Sequence, residues 1–432
     1  MKFLKPLLVA ALAAGLCASA FAQQPVANPA ELGFAPDRLE RITKAFQGWV
    51  DDGQIPGAVV LIARKDKIAY LNVVGFRDRE VKAPMAADSI FRIASMTKPI
   101  VSVGAMMLAE EGKLDIAAPV AQYLPEFKDV KVRVEKSDAS GNKEVAMVAP
   151  TKPMTVQDLL RHTAGLVYTA PFGRGPVAEL YQKEAILSRD VTLAETTAKI
   201  AALPLAYQPG EVWEYSAATD VLGRVIEVVS GMELDQYLYE RVTKPLGMSA
   251  TGFWVREADR GRLAEPQIVA ATGKRPPSMF DATQKPKFLS GGGGMVSTTT
   301  DYLQFAEMLR HGGALGNTRL LSPATIALMT SNALKPGIEY GPLVPPFVDL
   351  HPSPAMGQGF GLGFAVRTDA GENPLPGSIG SFYWTGAFGT TFYVDPKQQL
   401  VLIMMMQAPL PDSQFYRKPI RYLAYQAMTD LN

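Results

Sequence analysis

Ile90-Phe91-Arg92-Ile93-Ala94-Ser95-Met96-Thr97-Lys98-Pro99-Ile100-Val101 sets a hydroxyl and an amine three residues apart at the head of an apolar run. Residues i and i+3 lie on one face of a helix, so this spacing brings the Lys98 amine against Ser95 Oγ. A serine is a weak nucleophile at neutral pH until a neighbouring base takes its proton. A lysine serves as that base when burial or nearby charge lowers its pKa. Downstream, Val103, Ala105, Met106, Met107 and Leu108 keep the segment apolar on nearly every face until Gly112, which predicts a buried helix. Pro99 then lies near the helix start, where a missing N–H costs least. Ser95 opens this helix, whose free N–H groups favour developing negative charge. The same spacing recurs at Ser140-Gly141-Asn142-Lys143, but in a polar Ser/Asp/Gly/Asn stretch that reads as a solvated loop.

Working outward, strand patterns gather at the two ends of the chain. Residues 57–63 and 68–74 read as a hairpin around Lys65-Asp66-Lys67, and residues 388–394 and 400–406 as a second around Asp395-Pro396-Lys397. Residues 360–366 read as a further strand, and 416–428 as a helix through Ile420, Leu423, Ala424 and Ala427. The middle is helical. Ala218, Val221, Leu222, Val225, Ile226 and Val229 form one helical stripe that stops at Gly231, and similar patterns appear at 155–162, 192–202 and 301–309. The expectation is an α+β chain: an antiparallel sheet built from both termini and flanked by helices, with a mainly helical lobe inserted. The boundaries expected are 23–94 with 288–432 for the sheet lobe and 95–287 for the helical lobe. Residues 128–153 are charged and polar and read as a surface excursion with its own hairpin.

The 432 residues are 47% hydrophobic, enough for a large core. Residues 1–22 have the form of a secretion signal: Lys2 and Lys5, an apolar run from Leu7, and Ala20-Phe21-Ala22 as the cleavage site. Removing them changes the formal charge from +1 to −1, with 41 basic against 42 acidic residues. Such a balance gives no basis for nucleic-acid or anionic-membrane partners, and no later run is long enough to span a bilayer. The only cysteine, Cys17, lies inside the signal, so the exported chain is expected to carry no disulfide, thiol nucleophile or thiolate metal site. The expected location is the bacterial periplasm or the medium. The partner expected is a small molecule, and the sequence is silent on oligomeric state.

Three histidines exist: His162, His311 and His351. No G-x-S-x-G elbow accompanies them, so a Ser-His-Asp hydrolase of the α/β type is not expected. His162 reads as a ring hydrogen-bonded at a helix end. No H-E-x-x-H or clustered ligand set appears in the sequence, so neither a metal nor another cofactor is expected. Gly291 to Gly294 lack the lysine of a P-loop and read as a turn before a helix capped by Ser or Thr. The alternating Gly357, Gly359, Gly361 and Gly363 read as positions where a strand packs closely. Tyr215, in Glu214-Tyr215-Ser216-Ala217, and Tyr383-Trp384-Thr385-Gly386-Ala387 are each ordinary core or edge material when taken alone.

Taken in order, these segments resemble the serine β-lactamase and penicillin-binding superfamily, class C branch. The resemblance rests on Ser95-Met96-Thr97-Lys98, Asp158-Leu159-Leu160-Arg161-His162-Thr163-Ala164-Gly165-Leu166, Pro209-Gly210 with Tyr215-Ser216, Pro245-Leu246-Gly247-Met248, Gly292-Gly293-Gly294-Met295-Val296-Ser297-Thr298 and Trp384-Thr385-Gly386. It covers most of the chain beyond residue 22. It implies Ser95 as nucleophile, Lys98 and Tyr215 as the acid/base pair, and the backbone N–H groups of Ser95 and Ala387 as the oxyanion hole. Which of Lys98 and Tyr215 takes the first proton stays open, since such a pair titrates jointly. Two departures stand out. Ala217 occupies the position of the family's Asn in Tyr-x-Asn, and Trp384 that of the lysine opening the third motif. Both losses remove recognition of an anionic, peptide-like ligand. Trp384 adds an apolar wall, and with Ala217, Thr385 and Gly386 it is the expected lining of a substrate pocket. The combination is similar to the family VIII carboxylesterases and implies a serine hydrolase of small carboxylic esters with a weak β-lactamase side activity. The alternatives are a D-amino-acid peptidase, an acyltransferase and a non-catalytic penicillin-recognising protein.

Overall fold

The computed structural model describes residues 25–137, 143–170, 172–268, 273–275, 280–342, 352–408 and 415–432. The expected signal at 1–22 and the S-x-x-K copy at Ser140 fall outside these. Along the chain run α1 (Pro36–Asp51), β1 (Gly57–Arg64), β2 (Lys67–Asp78), β3 (Ala83–Pro84), β4 (Phe91–Arg92) and α2 (Thr97–Glu110). Next come β5 (Val132–Ser137), β6 (Lys143–Val148), α3 (Val156–Leu160), α4 (Pro176–Lys183), α5 (Leu193–Ala201) and β7 (Val212–Trp213). They lead to α6 (Ala218–Ser230), α7 (Leu234–Leu238), β8 (Val296–Ser297), α8 (Thr299–Arg310), β9 (Ala314–Leu315) and β10 (Thr318–Arg319). The remainder is α9 (Pro323–Met329), β11 (Glu339–Tyr340), β12 (Gln358–Phe360), β13 (Ala365–Arg367), β14 (Phe382–Thr385), β15 (Thr391–Asp395), β16 (Leu400–Met406) and α10 (Arg417–Gln426).

Both ends of the chain build one antiparallel sheet, ordered β12-β13-β14-β15-β16-β1-β2-β3 among the described residues. The join between the ends is β1 against β16, in register from Ala58 opposite Met406 to Arg64 opposite Leu400. Every residue of these two strands is buried, which explains their continuous apolar sequence: helices cover both faces. Tyr302 of α8 meets Phe392 on one face, whereas Arg421 of α10 stacks on the neighbouring Tyr393 on the other. The first hairpin turns at Lys65 and Asp66, both with left-handed φ, as a two-residue loop matched to strand twist requires.

Two sequence readings need correction. Residues 360–366 do not form one strand. They are the tip of the β12–β13 hairpin, closed by a Gly361 N–H donating to Phe364 O at 2.8 Å and by Gly363 at φ 100°. A Cβ at Gly363 would lie 2.4 Å from Ser102 Oγ of α2, so this tip presses on the helix behind Ser95. Likewise β15 begins at Thr391 rather than Phe388, because the chain turns at Gly389 with φ 93°. Residues 128–153 do carry a hairpin, β5–β6. Thr298 caps α8 by accepting from Asp301 N–H, as expected for the turn after the glycine run.

Candidate active site

Ser95 does not lie in the α-helix itself but in a 3-10 turn, residues Ala94–Met96, immediately before α2. The preceding Ala94 has φ 45°, a left-handed conformation uncommon for a residue with a Cβ and held only when its surroundings fix it. Those surroundings come from four distant segments. β4 pairs with β8, and Ile93 N–H donates to Met295 O at 3.0 Å. Thr390 Oγ1 donates to Ile93 O, Gln407 Nε2 to Arg92 O, and Tyr302 OH to Met96 O. From Ser89 to Leu108 every residue except Ser95 is buried. The chain thus offers a single reachable hydroxyl at the head of an apolar helix.

Lys98 is 1% exposed, and its three donors are all taken. Nζ lies 3.3 Å from Ser95 Oγ, 3.1 Å from Tyr168 OH and 2.6 Å from Gly292 O. An ammonium has three N–H groups and no acceptor, so it fills this set, whereas a neutral amine keeps a lone pair for one hydroxyl proton. Tyr215 approaches differently. Its ring, not its oxygen, faces the amine, with Nζ 4.6 Å from the centroid, and its buried hydroxyl has no hydrogen-bond partner among the described residues. The phenol that hydrogen-bonds Lys98 in the resting site is Tyr168, a residue the sequence reading did not single out. Burial, then the Asp220 carboxylate and Tyr215, push the Tyr168 phenol well above its ordinary range.

Tyr215 is fixed by the backbone around it. Glu214 N–H donates to His162 O at 3.0 Å and Ala217 N–H to Val167 O at 3.3 Å. Ser216 N–H donates to His162 Nδ1 at 3.4 Å, which makes that nitrogen an acceptor. Burial, then the Lys98 charge, hold His162 well below its ordinary pKa, so the ring stays neutral, in keeping with the structural role read from sequence. Burial also pushes Glu214 up to about 8; its carboxyl accepts a long hydrogen bond from Tyr207 OH at 3.5 Å.

The expected pocket residues separate. Trp384 reaches Tyr215, ring centroids 5.4 Å apart, but is 0% exposed and backs that ring rather than standing open. Ala217 is also fully buried, as the N-cap of α6. Gly386 approaches the Ser95 turn closely: a Cβ there would lie 2.3 Å from Ile93 O. Ala387 follows in the same buried turn. Thr385 does not join them. It neighbours Trp384 on β14, so its side chain takes the opposite face, in a cavity of about 110 Å³ with Tyr383, Tyr393 and Arg417.

Elsewhere, Asp66, Glu307 and His311 place ligand-type atoms within 4.8 Å of one another. Arg310 contacts all three, which makes this an ion-pair cluster at the β1–β2 turn and the end of α8. No helix among the described residues is long and apolar enough to cross a membrane.

Comparison with known proteins places the chain by family and fold. The Beta-lactamase family model matches residues 40–426. Esterase EstB of Burkholderia gladioli is 31% identical over 388 residues, covering 84% of this chain and 89% of the relative. Among solved structures, EstCE1, described as a hydrolase with promiscuous acyltransferase activity, superposes with a TM-score of 0.72 at 31% identity, covering 90% of this chain and 99% of the other. The simvastatin synthase LovD of Aspergillus terreus superposes with a TM-score of 0.72 at 25% identity, covering 90% and 98%. The chain belongs to the beta-lactamase family of serine hydrolases.

Proposed function

We propose that this protein is a carboxylesterase that cleaves small, uncharged esters through an acyl-enzyme on Ser95. The observation that carries the reading is Lys98 Nζ, 3.3 Å from the one reachable hydroxyl of an otherwise buried stretch. Ser95 Oγ attacks the ester carbonyl carbon, and its proton passes to the Lys98/Tyr215 pair. The N–H groups of Ser95 and Ala387 are the donors to the oxyanion. The tetrahedral intermediate collapses, the C–O bond to the alcohol breaks, and the pair returns the proton to the departing oxygen. The Tyr215 hydroxyl suits that delivery, since no hydrogen bond from the described residues holds it. Water then attacks the acyl carbonyl by the same path in reverse and releases the carboxylic acid and free Ser95.

The substrate class follows from what the family's two recognition positions hold. Ala217 and Trp384 are apolar and buried, and neither pairs with a carboxylate. The Thr385 hydroxyl lies on the far face of the sheet. An uncharged ester therefore fits better than a carboxylated β-lactam or a D-alanyl peptide, as in the family VIII carboxylesterases. The likeness to Esterase EstB and to EstCE1 supports ester chemistry. Because an alcohol competes with water for any acyl-enzyme, acyl transfer is the second outcome in alcohol-rich conditions. We further propose that the protein acts outside the cytoplasm after loss of residues 1–22.

The test is labelling of the protein with a fluorophosphonate, followed by turnover of p-nitrophenyl butyrate, nitrocefin and a D-Ala-D-Ala peptide. The expected result is a mass adduct on Ser95 and turnover greatest on the ester. No adduct refutes the enzyme reading, and turnover of the peptide alone replaces the esterase with a peptidase.

A further inference from the structure

Asp220 is a buried carboxylate to which the chemistry above gives no part. It lies in the first turn of α6, five residues after Tyr215, and is 1% exposed. A helix N-terminus is a favourable place for its negative charge. Its Oδ1 accepts two hydrogen bonds, from Ser290 Oγ at 2.6 Å and from Gly292 N–H at 3.0 Å. Gly292 is also the residue whose carbonyl oxygen accepts from Lys98 Nζ at 2.6 Å, the shortest of the three contacts of that amine. The other oxygen, Oδ2, has no hydrogen-bond partner among the described residues and lies close over the glycine. A Cβ at Gly292 would be 2.5 Å from Oδ2 and 2.6 Å from Tyr168 OH. One carboxylate therefore grips residues 290 and 292 of a loop, and that loop grips the lysine.

The loop needs such a grip. Residues 291–294 are all glycine, which leaves the backbone more conformational freedom to lose than any other residue would. On its far side the loop is fixed by Met295 N–H donating to Thr97 Oγ1 at 3.1 Å, and by β8 against β4. On its near side the Asp220 bonds are the side-chain contacts that fix it. Without them the Gly292 carbonyl is held only by the turn's own bonds, from Gly293 and Gly294 N–H to Ser290 O at 3.3 and 2.9 Å, and the acceptor that aims the Lys98 amine at Ser95 is less well fixed.

We propose that Asp220 is a positioning residue for Lys98: by holding Ser290 Oγ and Gly292 N–H on one oxygen, it sets the Gly292 carbonyl that orients the amine opposite Ser95. The inference rests on the acylation reading of Ser95 and Lys98. Asp220 itself touches neither nucleophile nor substrate. The role is one of hydrogen-bond geometry, so an asparagine, whose amide oxygen accepts the same two bonds, should sustain it, and alanine should not.

The experiment is the second-order rate of fluorophosphonate labelling of Ser95, with kcat and KM on p-nitrophenyl butyrate and thermal midpoints, for the full chain and its variants. Asp220→Ala is expected to lower labelling rate and kcat together by about 10²-fold, the scale of a misplacement near 1 Å, with KM little changed. Asp220→Asn is expected to restore both to within about threefold of wild type, well short of the misplacement loss. On a Lys98→Ala background, Asp220→Ala should add no further loss, because its effect passes through the lysine. Wild-type labelling by Asp220→Ala overturns the proposal, as does an asparagine variant as slow as alanine, or a full additional loss without Lys98. If Asp220→Ala fails to fold, Ser290→Ala removes one of the two bonds more gently. It should lower kcat without raising KM, and an unchanged kcat overturns the proposal. Absence of labelling in the wild type would instead refute the acylation reading itself, so the two failures are distinguishable.

Discussion

Tyr215→Phe should make the protein a far worse enzyme and no less stable a fold. The Tyr215 hydroxyl is buried without a hydrogen-bond partner among the described residues, and such a group costs about 1–3 kcal/mol of stability. Its ring does the packing, with centroids 5.0 Å from His162, 5.4 Å from Tyr168 and 5.4 Å from Trp384, and phenylalanine keeps all three contacts and the face it presents to Lys98. Removing the oxygen should therefore leave stability unchanged or raise it by about 1 kcal/mol. If the hydroxyl carries a proton in the acylation step, its loss costs about 10²- to 10⁴-fold in kcat/KM, or roughly 3–5 kcal/mol at 1.36 kcal/mol per decade. The two effects have opposite signs, which a general loosening of the site cannot produce. Tyr168→Phe is the control: its hydroxyl accepts from Lys98 at 3.1 Å, so its loss should cost stability as well as activity. The assay pairs denaturant unfolding with p-nitrophenyl butyrate kinetics. A Tyr215→Phe variant that turns over ester at the wild-type rate, or that is destabilised as much as Tyr168→Phe, would refute the reasoning.

Two other outcomes follow from buried side chains. Glu214 carries a folded-state pKa near 8 against an ordinary 4.5, so the folded chain keeps a proton that the unfolded chain releases. Stability contributed by this group is fully present below pH 4.5 and declines as pH rises toward 8. Glu214→Gln should flatten that part of the profile and raise the melting temperature at pH 8, and an unaltered slope would assign the dependence elsewhere. Trp384→Lys restores a cation at the family's third-motif position, beside the Tyr215 and Phe360 rings. The ratio of nitrocefin to p-nitrophenyl butyrate turnover should rise, and a constant ratio would mean Trp384 does not set the preference.

The legible part of this site was the part written locally. Ser95 and Lys98 sit one turn apart at the start of α2, so spacing alone brings them together. Tyr168 and Gly292 reach the same amine from 70 and 194 residues away, and nothing in their own neighbourhoods ties them to Lys98. The glycine run was legible as a turn before a capped helix, but its carbonyl acts on Lys98 only once β8 has paired with β4. Thr385 went astray for a simpler reason. Adjacent residues on a strand face opposite sides, so Trp384 and Thr385 could not both line one pocket once β14 was extended through them. At 360–366 alternating glycines hid a reversal, because a residue that permits close packing also permits left-handed turning.

The hydrogen bonds holding the Ser95 turn also have a bearing on time. Residues 390 and 407 reach back to Ile93 and Arg92, and the strand that carries the sheet across, β1 on β16, spans more than three hundred residues of chain. A ribosome makes those segments long after residues 92–95, and distant pairings are slow to close. Until they arrive, the turn at Ala94 lacks the bonds from Thr390 and Gln407 and keeps those with Met295, β8 and Tyr302. The turn that presents Ser95 is thus completed late, when β15 and β16 close over a hydroxyl made about three hundred residues earlier.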